Sequence, residues 1–412
     1  MSVFRLLVLV AAMVCVAGIA YAVDNSGRIH GKITTVDGDE FEGMIRWDKN
    51  EASWVDVLNG TKEYRRRDYD RSRSSSRRRY RDRSRGLRLF GLRFNGDLSF
   101  SSSQSGIRFG HIGAMEIVDD DRVVLELKSG EEVELTNGST DIGTSIREIV
   151  IEDSDEGEIE FSWDDIERID FTRAVTDEPS ALGERLYGTL TTRRGIEFTG
   201  FICWDVDEVL TKDVLDGETK RRTRKIKFGK IAAIERYSSS AAQVTLDSGE
   251  ELVLRGTNDV DDSNSGILVL DPGLGQVEVE WSQFDKVTFT EPPRQVSYDD
   301  FDGGRPIKGT VYTEDGDEYT GTIRWDDDEE YTWELLNGEY RRIEFDVEFG
   351  LIKQIQKDSY RGSVVTLRDG REFELSDSND VDEDNKGIFI FTDDGEEIVV
   401  DWEDFDRIEL SE

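Results

Sequence analysis

Nitrogen and sulfur side chains of the kind that carry catalysis or bind transition metals are almost missing from this chain. Its 412 residues include two cysteines, two histidines, four methionines and five prolines. His30 and His111 have no counterpart at corresponding places along the sequence, so a recurring zinc site, Cys/His dyad or Ser-His-Asp triad is excluded. Cationic residues are scarce as well, 52 against 91 acids, for a formal net charge of −39. Such a surface repels phosphates, and sequence-specific nucleic-acid binding is not expected. Lysine is rarer than arginine, a balance that also suits a protein kept soluble in high salt, where the self-repulsion is screened. Long apolar runs are confined to the stretch LLVLVAAMVCVAGIA after Arg5. It falls short of the roughly twenty residues of a spanning helix, and Ala20-Tyr21-Ala22 supplies the small-x-small pattern of a cleavage site. Residues 1–22 therefore read as a signal peptide. The expectation is an exported chain, periplasmic or extracellular, with no transmembrane segment after cleavage. Cys15 would leave with the signal, and Cys203, between Ile202 and Trp204, then has no disulfide partner and reads as a packed, inert thiol.

What the chain does have is repetition. GKITTVDGDEFEGMIRWD begins at Gly31, GTLTTRRGIEFTGFICWD at Gly188 and GTVYTEDGDEYTGTIRWD at Gly309. Each phrase alternates apolar or β-branched residues on two arms around an Asp-Gly or Arg-Gly pair, which predicts a β-hairpin. Trp204 and Trp325 are 121 residues apart, as are Gly229 and Gly350. Trp47 to Gly110 spans 63 residues where Trp204 to Gly229 spans 25, so the first copy carries an insertion of 38. Each copy continues with an apolar-x-x-apolar-x-x-apolar element (Phe349, Ile352, Ile355), a second hairpin, and another such element (Trp402, Phe405, Ile408). That spacing fits neither strand alternation nor a long helix, and it suits one turn of 3₁₀ helix leading into a short strand. Trp47, Trp204 and Trp325 share a face with Ile45, Ile202 and Ile323 and are expected in the core.

A bent sheet of short strands with such a turn before the last one resembles the SH3-like and Sm-like small barrels. The pattern carrying the resemblance, Val311 to Ile323 and its two counterparts, covers only the hairpins. Sm proteins place an Asn for RNA after this strand, whereas this chain has Asp326, Asp327, Asp328 and Glu329. They place a basic residue before a Gly, whereas this chain has Phe109-Gly110, Phe228-Gly229 and Phe349-Gly350. The resemblance implies a fold and no activity. A unit of fifty to sixty residues buries too little surface alone, so the expectation is an all-β chain of three tandem repeats, each made of two packed small barrels. The boundaries are repeat 1 at 23–172, a linker at 173–184, repeat 2 at 185–290, a linker at 291–304 and repeat 3 at 305–412.

Two features differ among the repeats. Asp259, Asp261, Asp262 and Asn264 align with Asp380, Asp382, Glu383 and Asn385, each set followed by a glycine. One reading is an oxygen cage for Ca²⁺. The other is a turn in which Asn and Asp bond their own backbone. The corresponding loop of repeat 1, TNGSTDIGTSI from Thr136, lacks nearly all these acids. The second feature is the insertion, placed at about 61–106, a basic, serine-rich tract expected to be disordered. Arg65, Arg66, Arg67, Arg77, Arg78, Arg79, Arg81, Arg83 and Arg85 make it a candidate site for a polyanion such as an acidic polymer of the envelope, or for an envelope protein. The functional expectation is a non-catalytic exported binding or scaffolding protein of the cell envelope, needing no cofactor. A Ca²⁺-dependent adhesin or matrix component stands second and a carboxylate-based hydrolase third.

Overall fold

The computed structural model describes residues 24–63, 102–136, 139–174, 180–220 and 222–411, together with the short strand pair 88–89 and 92–93. Within these residues lie 32 strands, six single turns of 3₁₀ helix and no α-helix. The protein is all-β, its sheets antiparallel, and no helix among the described residues is long and apolar enough to cross a membrane.

In the first segment (23–172) ten strands matter: β1 (His30–Thr35), β2 (Glu40–Trp47), β3 (Val57–Glu63), β4 (Ser102–Arg108), β5 (Ile112–Asp119), β6 (Arg122–Leu127), β7 (Glu132–Thr136), β8 (Ile149–Asp153), β9 (Gly157–Phe161) and β10 (Ile166–Phe171). The opening phrase is the hairpin β1–β2, with Ile33 opposite Phe41 and Gly38 at φ 87° in the turn. The order across the sheet is β9-β8-β2-β1-β10-β5-β6-β7-β3-β4. The opening hairpin therefore lies beside β8 and β10 from the end of the segment, while β6–β7 lies between β5 and β3. Early and late strands are threaded through one another, so the segment does not divide into two successive stretches that each complete a sheet. Such threading joins what would be two undersized cores. The same order is found in the third segment (305–412); in the second (185–290) eight strands follow it, while the counterparts of β3 and β4, Val214–Glu218 and Thr223–Lys227, form a separate two-stranded sheet joined by the single bridge Glu218–Arg255. Four of the six 3₁₀ turns fall where the three-residue apolar spacing placed them; at Trp281 and Trp402 the chain makes a plain turn instead, and the turns Asn258–Val260 and Tyr298–Asp300 lie outside that spacing. Phe109–His111 precedes β5 and Trp163–Asp165 precedes β10, while Phe228–Lys230 and Phe349–Leu351 occupy the positions of the former. The spacing works because one such turn and the pleat after it bring Phe109, Ile112 and Met115 to one buried side, all 0% exposed.

The three segments pack against one another. Phe201, Cys203, Leu268 and Leu270 of the second and Trp333 and Leu335 of the third join the core of the first, and the second and third share a core. Strand Gly275–Val279 of the second segment pairs with strand Ile343–Glu348 of the third. Gly275, at φ 133°, is required there, because a Cβ would lie 2.1 Å from the Asp346 carbonyl oxygen. The stretch 291–304 docks on the first segment: Tyr298 donates to the Ile112 carbonyl at 2.9 Å, its ring lies 4.5 Å from Trp54, and Phe301 packs on His111. At the tip of the β3–β4 hairpin Glu63 opposes Ser102, so the ends of the stretch expected as an insertion at 61–106 belong to strands. The arginines from Arg65 to Arg85 lie outside the described residues, as does the signal stretch 1–22.

Candidate functional site: buried carboxylates behind the repeated tryptophans

Trp47, Trp204 and Trp325 are each 0% exposed, and each indole N–H donates to a main-chain carbonyl: Asp141 at 2.9 Å, Asp259 at 3.0 Å and Asp380 at 2.9 Å. The bond brings that aspartate against the residues just after the tryptophan. There the chain reverses through Asp48, Asp205 or Asp326 at φ 40°, 54° and 47°, and the main chain closes on Glu51, Glu208 or Glu329, whose carbonyls accept the tryptophan N–H at 2.8 Å. Three carboxylates thus meet in each segment: Asp48, Glu51 and Asp141; Asp205, Glu208 and Asp259; Asp326, Glu329 and Asp380. In the second segment their oxygens lie within 4.8 Å of one another.

Each member has a structural task except the glutamate. The Asp141 carboxylate accepts the Asn59 N–H at 2.8 Å and Asp380 the Asn337 N–H at 2.7 Å, fixing the strand that follows the turn. Asp48, Asp205 and Asp326 accept the N–H groups of Arg147, Ser265 and Lys386. Glu51, Glu208 and Glu329 each bury one carboxylate oxygen that has no hydrogen-bond partner. Burial, then the neighbouring aspartates, pushes Glu51 and Glu329 well above the usual carboxylate range and Glu208 up to about 10. Burial first and like charge next raise Asp259 to about 6; burial raises Asp141 to about 7 and Asp205 and Asp326 to about 6 against the pull of their N–H donors.

A second carboxylate, nine residues after each tryptophan, joins the segments. Asp56 accepts the N–H groups of Ala52 and Ser53, Asp213 those of Val209 and Leu210, and Glu334 those of Glu330 and Tyr331. Each then takes a cation from another segment: Arg185 on Asp56 at 2.7 Å, Arg46 on Asp213 at 2.8 Å, and Lys62 on Glu334. Arg108 reaches Glu348 of the third segment at 3.1 Å. Burial alone would raise Glu348, but Arg108 and His111 hold it below the ordinary value.

The acidic loops divide. Asp259 and Asp380, 5% and 3% exposed, belong to the triads. Asp262 and Glu383 are exposed and Asp261 and Asp382 half-buried, and the latter pair accept backbone N–H groups two residues on, from Ser263 and Asp384 at 3.0 Å. Asn264 and Asn385 do the same for Gly266 and Gly387. These loops therefore do not close into cages of four neighbouring side chains. The partners of Asp259 and Asp380 are instead far away in sequence, in the pattern Trp-Asp-x-x-Glu, which all three segments share and which reads from sequence as part of an acidic run. Asp141 also proves equivalent to Asp259, since both carbonyls accept a tryptophan N–H; the loop from Thr136 aligns on Thr-Asp-Ile rather than on Thr-Asn-Gly.

The rarer side chains sit elsewhere. His30 Nδ1 is 3.0 Å from Thr172 Oγ1 and His111 Nε2 is 3.5 Å from Glu348. Cys203 is buried against the first segment, and burial holds its thiol protonated. Compared with protein-family models, curated proteins and solved structures, the chain matches none.

Proposed function

We propose that this chain is a non-catalytic, exported scaffolding or binding protein of the cell envelope, made of three tandem repeats of small-barrel type. One observation carries the reading. Carboxylates at the same place in every segment are each tied to a cation of another segment, so conserving one rigid body of three linked parts accounts for the buried polar chemistry. A rigid body with an arginine-rich stretch of sequence between β3 and β4 suits attachment to an acidic polymer.

Fractionation tests this directly. The full chain, expressed with a C-terminal tag in a bacterium with an envelope, is expected outside the cytoplasm with its N-terminus after Ala22, and retained on a heparin column through that stretch. A full-length chain in the cytoplasm refutes export. Retention that is unchanged when residues 64–101 are removed refutes the binding assignment.

A further inference from the structure

We propose that copies of this chain join end to end by strand pairing, the edge strand Glu397–Val400 of one copy adding to the edge strand Thr223–Lys227 of the next. The inference goes beyond the scaffold reading and does not depend on it.

The chain already makes this joint once. Strand Gly275–Val279 of the second segment pairs with Ile343–Glu348 of the third, Gln276 opposite Asp346, Val277 opposite Phe345 and Glu278 opposite Glu344. The repeat of 121 residues gives each strand a counterpart: Glu397–Val400 in the third segment for the former, and Thr223–Lys227 in the second for the latter. Among the described residues each counterpart has one neighbour only, Ile388–Phe391 and Val214–Glu218 respectively. Burial follows pairing. All five residues of Gly275–Val279 are buried, and five of the six in Ile343–Glu348, whereas each counterpart buries a single residue, Val400 or Ile226. A strand with one free side presents a row of backbone donors and acceptors that another strand can take up.

Charge selects the occupant. Thr223–Lys227 is a basic edge in a chain of net charge −39: Lys225 and Lys227 are exposed on it, and Lys220, Arg222 and Lys230 are exposed beside it. Glu397–Val400 is its complement, with Glu397 exposed on the strand and Asp393, Asp394, Glu396 and Asp401 exposed beside it. Shifted by 121 residues, the register of the existing joint sets Glu397 opposite Lys225, Ile398 opposite Arg224 and Val399 opposite Thr223. The antiparallel direction then puts the turn of Asp393 and Asp394 at the Lys227 end and Asp401 at the Arg222 end. Glu396 stands where Gly275 makes its close approach, which confines the pairing to the residues after it. The first segment offers no equal edge. Its counterpart strand, Gly157–Phe161, exposes Glu158 and Glu160 where the third exposes Glu397 and Val399. Charge at both positions guards an edge against pairing, while Val399 is left 45% exposed.

Net charge drives copies apart at a distance, but at physiological salt that repulsion fades beyond about 8 Å, and at contact the two edges attract. Because the edges differ, the joint is heterologous and builds an open row or a closed ring of copies rather than a two-fold pair.

Sedimentation of the full chain tests this. The mean mass of the native protein should rise with concentration. Lys225→Glu and Glu397→Lys should each weaken the association at least tenfold and keep the native melting temperature, since both side chains are exposed and the contact of Lys225 with Asp216, at 3.3 Å, is a surface one. An equimolar mixture of the two variants should regain association, because each brings one unaltered edge, Lys225 of one meeting Glu397 of the other. A lost fold cannot mimic that recovery. A native chain that stays single at every concentration overturns the proposal; if Lys225→Glu then also loses retention on heparin, the basic edge serves a polyanion instead. Association that survives both substitutions overturns it as well, as does association lost in each variant and not regained on mixing.

Discussion

Arg185→Met should cost the protein about 3–4 kcal/mol, and the figure follows from what surrounds the guanidinium. Arg185 and Asp56 side chains are each 2% exposed and meet at 2.7 Å across the junction of the first and second segments. Arg185 also donates to the carbonyls of Ile202 and Val209. Methionine replaces the aliphatic stem but leaves Asp56 charged in a site closed to water and orphans two carbonyls. Removing one partner of a buried pair costs about 3–5 kcal/mol; because Asp56 keeps the N–H groups of Ala52 and Ser53, the lower part of that range applies. Urea unfolding followed by the fluorescence of the eight tryptophans gives the change in stability. Asp56→Asn should itself cost about 2–3 kcal/mol, and the double variant should fall short of the sum by about 1.5 kcal/mol or more, since the second change removes a charge already stranded by the first. A loss below about 1 kcal/mol for Arg185→Met, the value of an exposed pair, or strict additivity in the double variant, would refute the claim that this pair holds the segments together.

Three further outcomes are expected. Burial raises Asp346 to about 6 although Asn337 and Gln276 donate to it, so the folded state keeps a proton that the unfolded chain releases near pH 4. Its stabilising contribution is complete below about pH 4 and is lost as pH rises through 6; Asp346→Asn should therefore change little at pH 4 and gain up to about 2 kcal/mol at pH 8 in thermal melts. Replacing residues 64–101 by Asn-Gly should leave urea unfolding within about 0.5 kcal/mol, because the third segment closes the same hairpin with Arg341 and Arg342 alone, both at positive φ. Trp325→Ala should cost about 3–5 kcal/mol, read by the same unfolding assay, since it empties a wholly buried site packed on Phe349, Trp402 and Phe405.

The hairpins, four of the six 3₁₀ turns and the burial of the three tryptophans could be read from sequence because each is local: a turn pair, a three-residue spacing, an alternation. Strand order could not. That β10 inserts between β1 and β5 depends on which buried faces meet after some 130 residues of chain, and no local pattern encodes it. The carboxylate triads lay between these cases. Asp259 and Asp380 were visible as acids in step, but their neighbours in sequence, Asp261 and Asp382, drew the eye to a loop. The side chains that actually meet them, Glu208 and Glu329, are brought in by a hydrogen bond from the tryptophan 55 residues away in chain number. The basic stretch stands out by composition, but its edges do not: residues 61–63 and 102–106 are strand, paired across the hairpin β3–β4.

A chain with 91 acids and 52 bases should resist folding into three touching segments, because each brings its own surplus of negative charge to the contact. The few cations answer this by position. Arg46 and Arg185 lie between the first and second segments, Lys62 and Arg108 between the first and third, and Arg371 on Asp271 between the second and third. Several are mostly buried, where salt screens them little. Exposed acids gain from salt, while these junctions do not need it. Raising salt should therefore relieve surface repulsion without loosening the contacts, and stability should rise from low to molar salt by the same amount in the native chain and in Arg185→Met, whose stranded Asp56 lies beyond the reach of screening. A larger rise in Arg185→Met would mean that the stranded Asp56 is screened and so as open to solvent as the surface, contrary to its burial.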